Sequence, residues 1–163
     1  MVGPIVLLAA VALAPWTHPL RFAPLAGWHT GASGNLATQY AASGSGSQSS
    51  AWIATNVRYR DAPRADPPNR TLARLPAGGV IVWAVIYTPA APGARLRLDL
   101  GRARRLPCCE ATAVAGGVYE LTGTGPGDAY SAIVRVYFGS RPTAALRARA
   151  QRALDRLALP SPR

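Results

Sequence analysis

The sequence contains no lysine, so all 18 of its basic residues are arginine, and only 7 acidic residues oppose them. The formal net charge of +11 is typical of proteins that bind nucleic acid or a membrane surface. Alanine, glycine, proline and arginine, the residues of GC-rich codons, make up about half of the chain. Genomic composition is therefore an alternative source of the arginine, and the excess charge is either a solvated surface or one that meets a polyanion.

Cysteine and histidine are scarce, which limits the chemistry that the chain can perform. Cys108 and Cys109 are adjacent, with no second pair to form a disulfide framework or a four-ligand zinc site. They could form a vicinal disulfide or a redox-active thiol pair; alternatively, they are small loop residues or are linked to another chain. His18 and His29 have neither triad nor metal-ligand spacing with the serines and carboxylates. We therefore predict no catalytic residue, metal site or cofactor, and a protein that is not an enzyme.

Two short motifs resemble known signatures. Gly123, Gly125 and Gly127 resemble a phosphate loop, but no Lys-Ser/Thr follows and a strand comes next, so they predict a hairpin turn. Asn69-Arg70-Thr71 matches the glycosylation sequon, a pattern that also arises by chance.

No apolar run is long enough to span a bilayer, which takes about 18 residues. The run 2–16, with its core at 5–14, has the length of a signal-peptide hydrophobic region, and Ala10-Val11-Ala12 resembles a cleavage site. No basic residue precedes the run, and the nearest arginine, Arg21, follows it. We predict that residues 1–16 are a signal peptide or membrane anchor of a secreted or membrane-anchored protein; the alternative is a buried element of a cytoplasmic one.

The strongest structural signal is the run 80–87, Val-Ile-Val-Trp-Ala-Val-Ile-Tyr. It is rich in β-branched and aromatic residues and is bounded by Gly78-Gly79 and Thr88-Pro89, which favours a strand. Because it is apolar on both faces, it is predicted to lie in the middle of a sheet that is covered on both sides.

Alternating apolar and polar residues predict further strands, each with one buried face. The segments 118–122 and 129–138, with the glycine turn between them, predict a hairpin in which alternate residues from Tyr130 to Phe138 share a face. The other predicted strands are 51–60, 94–100 and a short one near 27–29.

The C-terminal segment 143–159 is predicted to be an amphipathic helix. Pro142 suits its start and Pro160 its end. Its apolar stripe at helical spacing consists of Leu146, Ala150, Ala153, Leu154 and Leu157.

These elements indicate a mainly β (α+β) protein: an antiparallel sheet or small β-sandwich with one C-terminal amphipathic helix packed on it. Residues 17–50 are expected to be a loose Gly/Ser/Ala-rich segment with one short strand at most. Residues 51–160 are expected to form a single β-rich domain.

Two groups of arginines are candidate polyanion contacts, one around the predicted strand 94–100 and one on the predicted helix. If the two surfaces adjoin, five to nine contacts to a polyanion would bind with a steep salt dependence. No nucleic-acid-binding motif accompanies them. The candidates are Arg95, Arg97, Arg102, Arg104, Arg105, Arg147, Arg149, Arg152 and Arg156.

The chain resembles uncharacterised exported or membrane-anchored proteins of high-GC actinobacteria, from Gly27 to Pro160. The features are Trp52, the Leu-Pro-x-Gly-Gly sequence at 75–79, the Gly-Asp-Ala-Tyr turn at 127–130 and the closing Arg/Ala helix. The resemblance implies export and no particular activity.

The sequence therefore predicts a non-enzymatic, exported or membrane-tethered β-rich binding or accessory domain. The alternative is a polyanion-binding protein that uses its arginine clusters. For an exported protein, the expected partner is an anionic envelope component or a membrane surface rather than nucleic acid.

Overall fold

The chain folds around one six-stranded antiparallel β-sheet. The computed structural model describes residues 21–23, 25–32, 48–61, 68–88, 93–107 and 114–159. In chain order the strands and helices are β1 (Arg21–Phe22), β2 (His29–Ala32), β3 (Gln48–Thr55), α1 (Asn69–Leu72), β4 (Val80–Thr88), β5 (Arg104–Arg105), β6 (Val118–Thr124), β7 (Ser131–Phe138), α2 (Ala144–Leu154) and β8 (Leu157–Ala158). The sheet order is β2-β3-β4-β7-β6-β5, and β1 pairs with β8 separately. The predicted mainly β (α+β) class with an antiparallel sheet and a C-terminal helix is confirmed.

The central strand is β4, which pairs along its length with β3 on one side and β7 on the other. Every residue from Val80 to Ile86 is at most 4% exposed. A fully buried valine or isoleucine side chain contributes about 1.5–3 kcal/mol. The prediction of a mid-sheet strand covered on both faces is therefore confirmed.

The sheet separates two hydrophobic clusters. On the helix face, Val82, Val134 and Val136 pack with Ala153 and Leu154 of α2. On the opposite face, the cluster contains residues from β3, β4, β6 and β7 together with residues from α1 and the loops: Ile53, Ile81, Trp83, Val118, Tyr137, Leu72 and Val114. We call the side of the sheet covered by α2 the helix face, and the other side the opposite face.

The predicted hairpin of β6 and β7 is confirmed, with a register that runs from Val118 opposite Tyr137 to Thr124 opposite Ser131. The glycine motif forms the turn between them. Gly127 has a φ of 63°, in the left-handed region that favours glycine. As predicted, alternate residues of β7 and its approach share the helix face: Tyr130, Ala132, Val134, Val136 and Phe138.

The prediction of a strand at 94–100 is wrong, although the predicted alternation of apolar and polar sides is correct. Leu96 and Leu100 are buried in the helix-face cluster, while Arg95 and Arg97 are exposed. The segment makes only an isolated bridge, between Arg95 and Thr124. The reason is that the backbone groups of Leu98 and Leu100 bond to the side chain of Gln151 on α2 rather than to a strand.

The strand predicted at 51–60 begins and ends earlier, since β3 spans Gln48–Thr55. The side chain of Asn56 ends the ladder because it bonds the carbonyl of Gly78 (2.9 Å) and the amide of Val80 (2.7 Å). The short helix α1 was not predicted. The short strand expected near 27–29 corresponds to β2.

The predicted helix 143–159 is too long at its C-terminal end. It stops at Leu154, and Leu157–Ala158 forms β8 against β1. Leu157 is still buried in the helix-face cluster, so its helical spacing was compatible with either conformation. The strand is favoured over the helix because β1 supplies a backbone partner: the amide of Ala23 donates to the carbonyl of Arg156 at 3.0 Å.

The predicted signal or anchor segment 1–16, His18, Cys108 and Cys109 lie outside the described residues. Within the described residues, no helix is long and apolar enough to cross a membrane.

Candidate functional site

The structure brings most of the predicted polyanion contacts to one side of the molecule. A layer made of α2 and the segment 94–103 covers the helix face of the sheet. Arg105 joins this side because it lies opposite Tyr119, whose ring is in the helix-face cluster. We call these residues the helix-side arginine surface: Arg95, Arg97, Arg102, Arg105, Arg147, Arg149, Arg152 and Arg156.

The segment 94–103 is positioned by contacts with both β6 and α2. Thr124 exchanges backbone hydrogen bonds with Ala94 and Leu96 at 2.8 Å each. Gly123 allows this crossing, since a Cβ there would lie 2.5 Å from the carbonyl oxygen of Ala94. With its leucines buried, the segment points Arg95 and Arg97 to solvent.

Helix α2 begins at a Thr143 cap, whose hydroxyl accepts from the amide of Leu146 at 3.2 Å. Ala150, Ala153 and Leu154 are fully buried against the sheet. The face turned away from this stripe is therefore exposed, and it carries Arg149 and Arg152 in addition to alanines.

Gln151 joins the helix to the segment. Its amide nitrogen donates to the carbonyl of Leu98 and its oxygen accepts from the amide of Leu100, both at 2.8 Å. The two arginine groups that the sequence left apart are thus parts of one continuous layer.

Arg147 is held against the sheet rather than projecting freely. Its guanidinium lies 4.7 Å from the centre of the Tyr119 ring and donates to the Tyr119 hydroxyl at 3.0 Å. The Tyr119 ring in turn packs edge-on against Phe138, with centroids 5.5 Å apart. Arg147 therefore presents a planar, pre-oriented cation at the edge of the layer.

Carboxylates neutralise little of this surface. Asp99 lies 3.4 Å from Arg102, but both side chains are more than half exposed, so the pair contributes little. Asp155 accepts a hydrogen bond from Gln151 at 2.8 Å. The other arginines of the surface form no ion pair with any described residue.

Arg104 does not belong to this surface, because the structure places it on the opposite face. It lies across the sheet from Glu120, and its Nη2 is 2.7 Å from the Glu120 Oε1. Glu120 is also bound by Arg135, whose Nε is 2.8 Å from the other carboxylate oxygen. Arg135 in turn stacks over Trp83 at 5.4 Å.

This charged row crosses four neighbouring strands in register. The Glu120 side chain is 6% exposed, whereas Arg135 is 19% and Arg104 72% exposed. Burial raises the pKa of Glu120, but the hydrogen bonds and charges of Arg104 and Arg135 outweigh it, and the net pKa lies below its usual value. Because both arginines hold Glu120 ionised, it is unsuited to act as a general acid.

This row was not predicted, although the amino-acid sequence contains a signal for it. The predicted hairpin has a short turn. Pairing the two strands outwards from that turn brings the acidic Glu120 on β6 near the basic Arg135 on β7. An opposite-charge pair across strands is a common stabilising arrangement.

The other candidates form no site among the described residues. His29 is exposed on β2. No group of three His, Cys, Asp or Glu side chains that could hold a metal ion occurs in the described part of the chain. The sequon residue Asn69 is exposed at the start of α1, while Thr71 is buried.

The chain matches no protein family, no curated protein and no solved structure.

Proposed function

We propose that the chain is a non-enzymatic, exported or membrane-tethered β-rich binding domain whose partner is an anionic polymer of the cell envelope. The helix-side arginine surface is the proposed contact area. The observation that carries the proposal is the joining of α2 to the segment 94–103 through Gln151, because it places their six arginines on one layer, beside Arg105 and Arg156, with only the acidic side chains of Asp99 and Asp155 among the described residues there.

The chemistry of the surface favours an extended partner. Guanidinium groups bind phosphate, sulfate and carboxylate through paired N–H donors. The exposed arginines are spread along a helix and a neighbouring extended segment, so one small ligand could not contact them all. A chain of regularly spaced anions could contact several at once.

The apolar run at 2–16 and the resemblance to exported actinobacterial proteins support the location. An exported domain would meet anionic lipids or envelope polymers, whereas a cytoplasmic one would meet nucleic acid. Intact-mass measurement in supernatant, membrane and cytosol fractions distinguishes these cases. Export predicts a form truncated near Ala12 in the supernatant or the full-length chain in the membrane; full-length soluble protein in the cytosol contradicts it.

Binding is tested by measuring the affinity for heparin, used as a model polyanion, as a function of salt. The variant Arg95→Gln/Arg97→Gln/Arg152→Gln removes three charges from the surface. We expect the slope of log affinity against log salt to become shallower by about 2–3, at roughly 0.7–0.9 per lost contact.

The matched control removes the same charge from another part of the molecule. The control variant is Arg58→Gln/Arg60→Gln/Arg74→Gln, whose residues lie beside the opposite-face cluster. It should change the slope by less than about 1. Equal losses in the two triple variants would mean that only net charge matters. A wild-type affinity that does not change with salt would refute the polyanion proposal.

A further inference from the structure

A second group of arginines lines a depression on the other side of the molecule. It lies where β3 ends and β4 approaches, and its volume is about 210 Å³. This is below the range of about 300–1,000 Å³ for drug-sized ligand pockets, so it suits a group of few atoms. The described residues that line it are Val57, Arg58, Arg60, Thr71, Arg74 and Pro76.

Hydrogen bonds fix the segment that carries Arg58 and Arg60. At its start, the Thr55 hydroxyl bonds the carbonyl of Val80 (2.8 Å) and the amide of Val57 (3.2 Å). The side chain of Asn56 bonds the carbonyl of Gly78 and the amide of Val80, where β4 begins. At the far end, the amide of Arg60 donates to the Thr71 hydroxyl at 2.9 Å.

The third arginine, Arg74, is also hydrogen-bonded to Thr71. The amide of Arg74 donates to the carbonyl of Thr71 at 3.2 Å. Thr71 itself is 2% exposed. The backbone at Arg60 and Arg74 is thus held by one buried residue, and Thr55 holds the backbone just before Arg58. This lowers the entropic cost of gathering the three side chains around a ligand.

Among the described residues that line the depression, three are arginines and none is acidic, so this part of its lining is positively charged. The nearby Asp61 carboxylate is already engaged: it accepts from the amides of Arg70 (2.9 Å) and Thr71 (2.8 Å) and from the Thr71 hydroxyl. Among the described residues, no carboxylate forms an ion pair with Arg58, Arg60 or Arg74.

We propose that this depression is a binding site for a single phosphate group, in inorganic phosphate or a small phosphomonoester. Two or three guanidinium groups can bind such a dianion through paired N–H donors. The site is separate from the helix-side arginine surface: Tyr59 and Leu75, within and next to the lining segments, pack against the opposite-face cluster.

The test is calorimetric titration of the full chain with inorganic phosphate at constant ionic strength, with chloride as the comparison anion. We expect saturable binding of one phosphate per chain. In Arg58→Gln/Arg60→Gln/Arg74→Gln, affinity should fall about tenfold or more, because a hydrogen bond to a charged group is worth at least that factor. Dimethyl phosphate, a monoanion, should bind more weakly than inorganic phosphate.

The helix-side triple variant Arg95→Gln/Arg97→Gln/Arg152→Gln is the charge-matched control and should bind phosphate as the wild type does. Equal weakening in both triple variants, or unsaturable binding, would overturn the proposal. If the pocket triple variant does not fold, as judged by circular dichroism, Arg58→Gln and Arg74→Gln are measured singly. Each should then weaken binding, and unchanged affinity in both would refute the site. Heparin affinity reports on the other surface, so the two proposals fail independently.

Discussion

Glu120 is a buried charged side chain with two arginine partners, of which Arg135 is mostly buried and Arg104 largely exposed. Arg135 and Arg104 bind one carboxylate oxygen each, from the two neighbouring strands. Breaking a buried pair by removing one partner costs more than the pair contributes, since the remaining charge is left without compensation. The row therefore fixes the register of the edge strand β5, which has only two residues.

We predict that Glu120→Gln lowers the free energy of unfolding by about 3 kcal/mol at pH 7. The figure lies at the low end for a broken buried pair because Arg104 is largely exposed and stays hydrated. Urea denaturation measures the change. The control Arg102→Gln breaks an exposed pair and should change stability by less than about 0.5 kcal/mol.

The same variant gives a pH dependence with a defined sign. Since folding lowers the pKa of Glu120 below its ordinary value of 4.5, the carboxylate contributes stability above about pH 4.5. That contribution is lost as pH falls through the folded pKa. The difference between wild type and Glu120→Gln should therefore shrink below pH 4.5, and a constant difference down to pH 2 would contradict the assignment.

Individual residues were the hardest level to predict from sequence. Arg104 was grouped with its neighbour Arg105, although alternation along β5 sends the two side chains to opposite faces. Arg58, Arg60 and Arg74 were passed over because they lie on two segments that are separated in sequence, and hydrogen bonds of Thr71 to Arg60 and Arg74 bring these segments together.

At the scale of elements, the helix-side layer depends on Gln151 more than on any arginine. Its side chain replaces the strand partner that the segment 94–100 lacks. A helix residue thereby determines how an extended segment presents its charges.

We predict that Gln151→Leu lowers the free energy of unfolding by about 1–3 kcal/mol, because it leaves the backbone groups of Leu98 and Leu100 without partners. It should also weaken heparin binding although it removes no charge, since Arg95 and Arg97 lose their fixed position. Thermal denaturation and heparin affinity are the measurements.

The control is Thr122→Leu, at an exposed position of β6 on the opposite face of the sheet. It should leave heparin affinity unchanged. Heparin affinity of Gln151→Leu equal to that of the wild type would show that the two segments do not act as one surface.

Elements were predicted well where their hydrogen bonds are regular. The strands β4, β6 and β7 follow from their apolar patterns, because each lies between or beside partners that complete its ladder. The predictions at 94–100 and 155–159 were wrong for one reason. Periodicity reports which side of a segment is buried, but not whether a side chain, a helix or a strand satisfies its backbone.

At the scale of the whole molecule, one sheet separates two groups of arginines. The helix-side arginine surface suits a long anion, and the depression on the other side suits a small one. The fold class followed from the sequence because the sheet core is encoded in a few strong apolar runs. The distribution of charge did not, since it depends on which segments pack side by side.

The most direct test of the central claim is an amide chemical-shift map of the protein titrated with a short heparin fragment. We predict that the shifts concentrate in α2 and residues 94–105, and that β7 positions facing the opposite side, such as Ile133 and Arg135, remain unchanged. Shifts centred on the opposite face, or none at salt low enough for binding, would contradict the assignment of the helix-side arginine surface as the polyanion contact.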